Sequence, residues 1–270
     1  MTGGGQISVV NPAGTASFGF NVQTDVKTGS VKGQLEYNNH ATKTTYHSVN
    51  LDSLSITSIS SCTASPTTSG KRATFKGTIK KKNDGTTHNF KVTAEDCGEP
   101  GRNDYFLIEI ANPGGETQSG PLIGGNIQVH GSPQSGTMVT GAGGGIFPPG
   151  ASLNGVSLEG LKFGKGLTVA SAGSAQGQFQ TTLIGVSVLG LKRYIQVEGK
   201  ANSGFSGAPN TAIFSGKCMV DLGDGTPPLS DVPFTVVVAT NSEGTGSLTL
   251  TLGATNLPAA MVNEGHMTIK

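Results

Sequence analysis

Tryptophan is absent from this 270-residue chain, tyrosine occurs four times, and charged residues make up only 13%. Each scarcity excludes something. So few aromatics speak against a stacking platform for bases or sugars. With 18 basic and 17 acidic side chains, there is no electrostatic footprint for nucleic acid, so no nucleic-acid partner is expected. The low share of helix-forming charged residues disfavours long soluble helices. No stretch approaches the ~18 consecutive apolar residues of a membrane helix. The best run, from Val232 to Ala239, is strand-sized and contains proline. Met1-Thr2-Gly3-Gly4-Gly5 carries neither the basic nor the apolar part of a signal peptide, and the composition points to a chain that follows a removed leader.

Cysteine is scarce too, with Cys62, Cys97 and Cys218 showing no zinc-type spacing. Cys62 and Cys97 either join in a disulfide, given an oxidising compartment, or stay as two thiols. Cys218 lies inside a strand pattern and reads as a small buried hydrophobe.

What the chain does have is 42 glycines and 13 prolines without a collagen period, and short alternating runs. Phe18, Phe20 and Val22 share one face of a strand, as do Phe75, Gly77 and Ile79, and then Phe106, Ile108 and Ile110. Asn83-Asp84-Gly85 supplies a tight hairpin turn. About seven such strands per half, with turns every 8–12 residues, predict an antiparallel β-sandwich, immunoglobulin-like or jelly-roll-like.

The halves echo each other. Ala73-Thr74-Phe75-Lys76-Gly77 recurs as Ala212-Ile213-Phe214-Ser215-Gly216, and Gly125-Asn126-Ile127 recurs as Gly265-His266-Met267. Gly33-Gln34-Leu35 recurs as Gly177-Gln178-Phe179. The offset stays near ~140 residues, a domain-sized period that indicates an internal duplication. The expected organisation is a first sandwich over 1–132, a Gly/Pro-rich linker over 133–150 and a second sandwich over 151–270.

Candidate chemistry is sparse. The loop from Glu95 to Asp104 is the densest polar cluster. Asp96, Glu99 and Asp104 offer hard oxygen ligands for calcium, and turn chemistry explains the same residues. His40 and His130 are candidate general bases beside Asp96 and Glu99, yet no HxH or HExxH spacing supports a histidine metal site. There is no GxSxG elbow. Lys80-Lys81-Lys82 at a hairpin tip reads as a contact for an acidic polymer or as edge protection.

Gly3-Gly4-Gly5-Gln6-Ile7, Phe18-Gly19-Phe20, Gly33 to His40, Phe75-Lys76-Gly77-Thr78, Asp96-Cys97-Gly98-Glu99-Pro100-Gly101 with Asp104, and Gly124 to His130 together resemble a domain family of large secreted or surface-anchored bacterial proteins. This is the "post-COAP" family, which follows choice-of-anchor domains, and the resemblance spans residues 3–130. It implies a β-rich module in an extracellular bacterial setting, and it does not imply a catalytic mechanism. Where the family reads Asp-Asn-Gly-Glu-Pro-Gly, this chain has Cys97, which strengthens a pairing with Cys62.

The sequence therefore predicts an all-β, secreted or cell-surface bacterial protein of two tandem sandwiches, with a structural, adhesive or ligand-binding role. An extracellular polymer or another surface protein is the expected partner, and self-association is open to it. The alternative is a secreted hydrolase of an extracellular polymer, with its site at the loops or between the domains.

Overall fold

A computed structural model describes residues 1–25, 28–130 and 136–270. The described residues are all-β apart from one 3-10 turn, Gly101–Asn103. The first half forms β1 (Thr2–Val9), β2 (Gly14–Thr24), β3 (Val31–Asn39), β4 (Thr44–Ile59), β5 (Gly70–Lys81), β6 (Thr87–Asp96), β7 (Tyr105–Ile110) and β8 (Thr117–Gln128). Each pairs antiparallel with the next, and β1 also pairs with β8, so the sheet closes into an eight-stranded barrel.

The second half forms β9 (Thr137–Ile146), β10 (Ser152–Leu153), β11 (Val156–Val169), β12 (Ser174–Ser187), β13 (Lys192–Phe205), β14 (Thr211–Asp221), β15 (Leu229–Thr240), β16 (Gly246–Leu252), β17 (Thr255–Asn256) and β18 (Ala260–Ile269). Here β9 pairs with both β18 and β11, which joins the ends of the β11-to-β18 meander, while β10 and β17 are two-residue additions.

Two expectations are corrected. The first-half sheet does not split into two packed layers, because its first and last strands hydrogen-bond and leave no edge. Nor is 133–150 a linker throughout, since its glycine-rich middle is β9, a full member of the second sheet. Residues 133–135 lie outside the described residues.

Alternation fills each half with its own core. In the first, Phe18 stacks on Phe106 at 4.0 Å between ring centroids, and Phe20, Tyr37 and Phe75 pack around them. In the second, Phe179, Phe214 and Phe234 pack edge and face amid aliphatic side chains. The recurring strings fall at matching places: Phe75 on β5 and Phe214 on β14 are both inward, and Gly125 on β8 and Gly265 on β18 both have positive φ, 96° and 95°. A Cβ at either glycine would collide with the neighbouring strand's backbone. Cys218 on β14 is buried.

The two halves meet where β1, β2 and β3 lie against β9, β11 and β12. Glycines make this contact possible. A Cβ on Gly19 would strike the carbonyls of Lys165 and Gly141, one on Gly164 the carbonyls of Phe18 and Gly5, and one on Gly166 the carbonyls of Phe20 and Gly3. The backbones touch directly, an approach that only glycine permits. Gly4 belongs to this contact, since its Cβ position meets the Gly164 carbonyl, whereas Gly143 and Gly145 are pressed against β18 of their own sheet.

Candidate junctional site

The junction between the halves gathers most of the chain's candidate chemistry. On β3, Leu35 and Tyr37 point into the first core, so Gln34, Glu36 and Asn38 point out of it, toward the second half. Thr140 donates to Gln34 Oε1 at 3.1 Å, Thr268 to Glu36 Oε1 at 2.7 Å, and Asn38 Nδ2 to Glu264 Oε1 at 2.7 Å. His266 Nδ1 lies 3.0 Å from Glu36 Oε1, and its ring stacks on His47 at 4.6 Å. Glu36 Oε2 and His47 Nδ1 are buried without a partner. Burial lowers the His47 pKa, against the pull of Glu36.

On the other side of the junction, Asn21 Nδ2 donates to Thr168 Oγ1 at 2.5 Å, Thr182 Oγ1 to Gln6 Oε1 at 3.3 Å, and Arg102 Nη2 to Glu198 Oε1 at 2.8 Å. A cleft of about 210 Å³ opens there, lined among others by Glu99, Asn126, Glu198, Lys200 and Asp231. Burial raises the Glu198 pKa, opposed by Arg102. Two further clefts follow the junction: about 340 Å³ beside His47 and His266, and about 430 Å³ beside Lys43, Lys82 and Glu264.

The residues singled out in the sequence do not converge. His40 and His130 both bridge the halves, in separate networks. His40 places Nε2 2.8 Å from Ser17 Oγ and Nδ1 2.9 Å from Glu264 Oε1, and burial lowers its pKa. His130 places Nε2 2.8 Å from Thr2 Oγ1 and Nδ1 2.7 Å from Gln176 Nε2, and burial pulls its pKa down to about 4.

The expected calcium trio is likewise divided among structural duties. Asp96 Oδ2 accepts from the Val129 N–H at 2.8 Å, and Glu99 Oε1 accepts from Asn126 Nδ2 at 2.9 Å. Asp104 accepts from the Cys97 and Ile127 N–H groups at 2.8 and 2.7 Å. Burial, with Asp96 and Glu99 nearby, pushes the Asp104 pKa up to about 8 against those two donors. Among the described residues, the one group of three metal-ligating side chains with atoms within 4.8 Å of one another is Cys62, Glu95 and Cys97. Its two sulfurs are bonded to each other at 2.03 Å, and Glu95 is engaged by Arg72 and Thr63.

Several groups at the junction escaped sequence reasoning. Glu36, Glu198 and Glu264 sit on β3, β13 and β18, on strand faces that the opposite half covers. Lys165 had a legible signal: Leu161, Phe163, Leu167 and Val169 alternate around it on β11, which marks an inward lysine. It is fully buried, with Nζ 4.4 Å from the Phe163 ring centroid and no hydrogen-bond partner. Burial lowers its pKa to about 7.

No helix among the described residues is long and apolar enough to cross a membrane. No family model matches the chain, and neither a curated protein nor a solved structure matches it.

Proposed function

We propose that this chain is a non-catalytic structural, adhesive or ligand-binding module of a secreted or cell-surface bacterial protein, built as a tandem duplication and related to the post-COAP domains. One observation carries the reading. The carboxylates and histidines that could do chemistry are spent on holding the fold: Asp104 on two backbone N–H groups, and His40 and His130 on bridges between the halves. The Cys62–Cys97 bond fits an oxidising compartment, and the filled interiors leave the outer surfaces and the junction for binding.

The test is incubation with a panel of extracellular polymers (pectin, cellulose, chitin, peptidoglycan and casein), measuring retention on each and release of reducing ends or amines. Retention without product is the expected result. Product formation that survives purification and disappears in Glu99→Gln or Glu198→Gln overturns it in favour of a hydrolase. One observation favours that second reading: Glu99 and Glu198 line the same junctional cleft, and burial sets the Glu198 carboxyl above its ordinary value, the direction a general acid needs.

A further inference from the structure

The lysine-rich hairpin tip between β5 and β6 does not end in free solvent. Asn83 at that tip donates from Nδ2 to the Lys43 carbonyl at 3.1 Å, and its Oδ1 accepts from the Thr45 N–H at 3.4 Å. The Lys82 N–H donates to the Thr45 carbonyl at 2.9 Å. The tip is thereby latched to the β3–β4 turn, where Lys43 holds a left-handed conformation with φ 55°. Lys82 Nζ reaches across the junction to the Gly265 carbonyl at 3.2 Å. Lys43 and Lys82 consequently line one cleft of about 430 Å³, with Thr45, Asn83, Asn263 and Glu264.

The charge balance of this cleft favours an anion. Asp84 on the same tip is occupied by Lys81 at 3.2 Å and by Thr86. Glu264 is turned to Asn38 and His40. Partial burial strips Lys82 of some water and lowers its pKa, and Glu243 and Glu36 offset that only in part, so a bound anion would recover charge stabilisation there. The remaining lining is amide and hydroxyl, suited to sugar hydroxyls, and no aromatic ring lines the cleft for a base to stack on.

We infer that this cleft binds an acidic polysaccharide, with a carboxylate or sulfate between Lys43 and Lys82 and the sugar hydroxyls on Asn83, Asn263 and Thr45. The inference rests on the binding-module reading and names its ligand class.

The test is calorimetric titration of the full chain with sodium polygalacturonate and with dextran sulfate, against neutral dextran and a single-stranded oligo-dT. Binding of at least one acidic polymer and not of neutral dextran is expected. The two acidic polymers separate carboxylate from sulfate recognition. A Lys43→Ser/Lys82→Ser double variant, with an unchanged melting temperature, should bind about tenfold more weakly, as loss of two charge-assisted contacts implies. Lys71→Ser/Lys76→Ser, which removes equal charge outside the cleft, should stay within about twofold on the same argument.

The inference is overturned if neither acidic polymer binds, if both double variants weaken binding equally, or if oligo-dT binds more tightly and is lost in the same cleft variant. Absence of binding leaves the non-catalytic reading standing. Cleavage of the bound polymer overturns that reading and leaves the site in place.

Discussion

Replacing Lys165 with methionine should stabilise the protein, and by more as the pH falls. The amine is buried beside Phe163 with no hydrogen-bond partner, so folding strips its charge of water with only the ring face and the weaker pull of Glu36 in return. Its pKa is about 7 in the native state against 10.5 as the ordinary value. Between those values the unfolded chain holds a proton that the folded chain does not, so native stability rises with pH across this window. Stability is lost as the pH falls from 10.5 toward 7, and the loss is complete below 7. The full interval corresponds to about 5 kcal/mol at ~1.4 kcal/mol per pH unit. Methionine fills similar space with no charge to desolvate.

Urea unfolding followed by far-ultraviolet circular dichroism, at pH 7, 8 and 9, compares the two proteins. The stability gap in favour of Lys165→Met should widen by about 2 kcal/mol from pH 9 to pH 7, following the same linkage. Other titrating groups cancel in the difference. Parallel pH profiles, or a less stable variant at pH 7, would refute the assignment of a buried, readily neutralised lysine.

Other expectations follow from the same geometry. Gly19→Ala drives a Cβ into the carbonyls of Lys165 and Gly141, and should cost about 1–3 kcal/mol; faster proteolysis between the halves and a larger radius by small-angle X-ray scattering would show it, and an unaltered profile would contradict the backbone contact. Cys62 and Cys97 are 35 residues apart, so Cys62→Ser/Cys97→Ser should lose about 4 kcal/mol by the loop-entropy argument, measured by urea midpoint; an equal midpoint with and without reductant would refute it. Asp104→Asn turns an amide donor toward one of two backbone N–H groups and should cost about 1–3 kcal/mol, read as a lower melting temperature at pH 7.

Much of the local structure was visible in the residues. Phe18, Phe20 and Val22 alternate and are buried. The Asn83-Asp84-Gly85 turn joins β5 to β6, with Gly85 at φ 76°. The site was less visible. Asp96, Glu99 and Asp104 stand close in sequence, yet each meets a different donor, because the backbone N–H groups of Val129, Cys97 and Ile127 and the Asn126 side-chain amide reach them first. The glycines of Gly141-Ala142-Gly143-Gly144-Gly145 suggested flexibility, since composition alone does not distinguish a loose segment from a strand paired in one sheet and pressed against another.

The all-β class, the inward aromatic faces and the recurrence of Phe75 at Phe214 and Gly125 at Gly265 are legible along the chain, because side-chain alternation and turn chemistry act over a few residues. The meeting of β1 with β8, the touching glycine backbones of the two halves and the covered junction where Glu36 and His47 face His266 arise only on folding. Those contacts join residues more than a hundred positions apart, and their geometry exists only once both sheets have curved and packed.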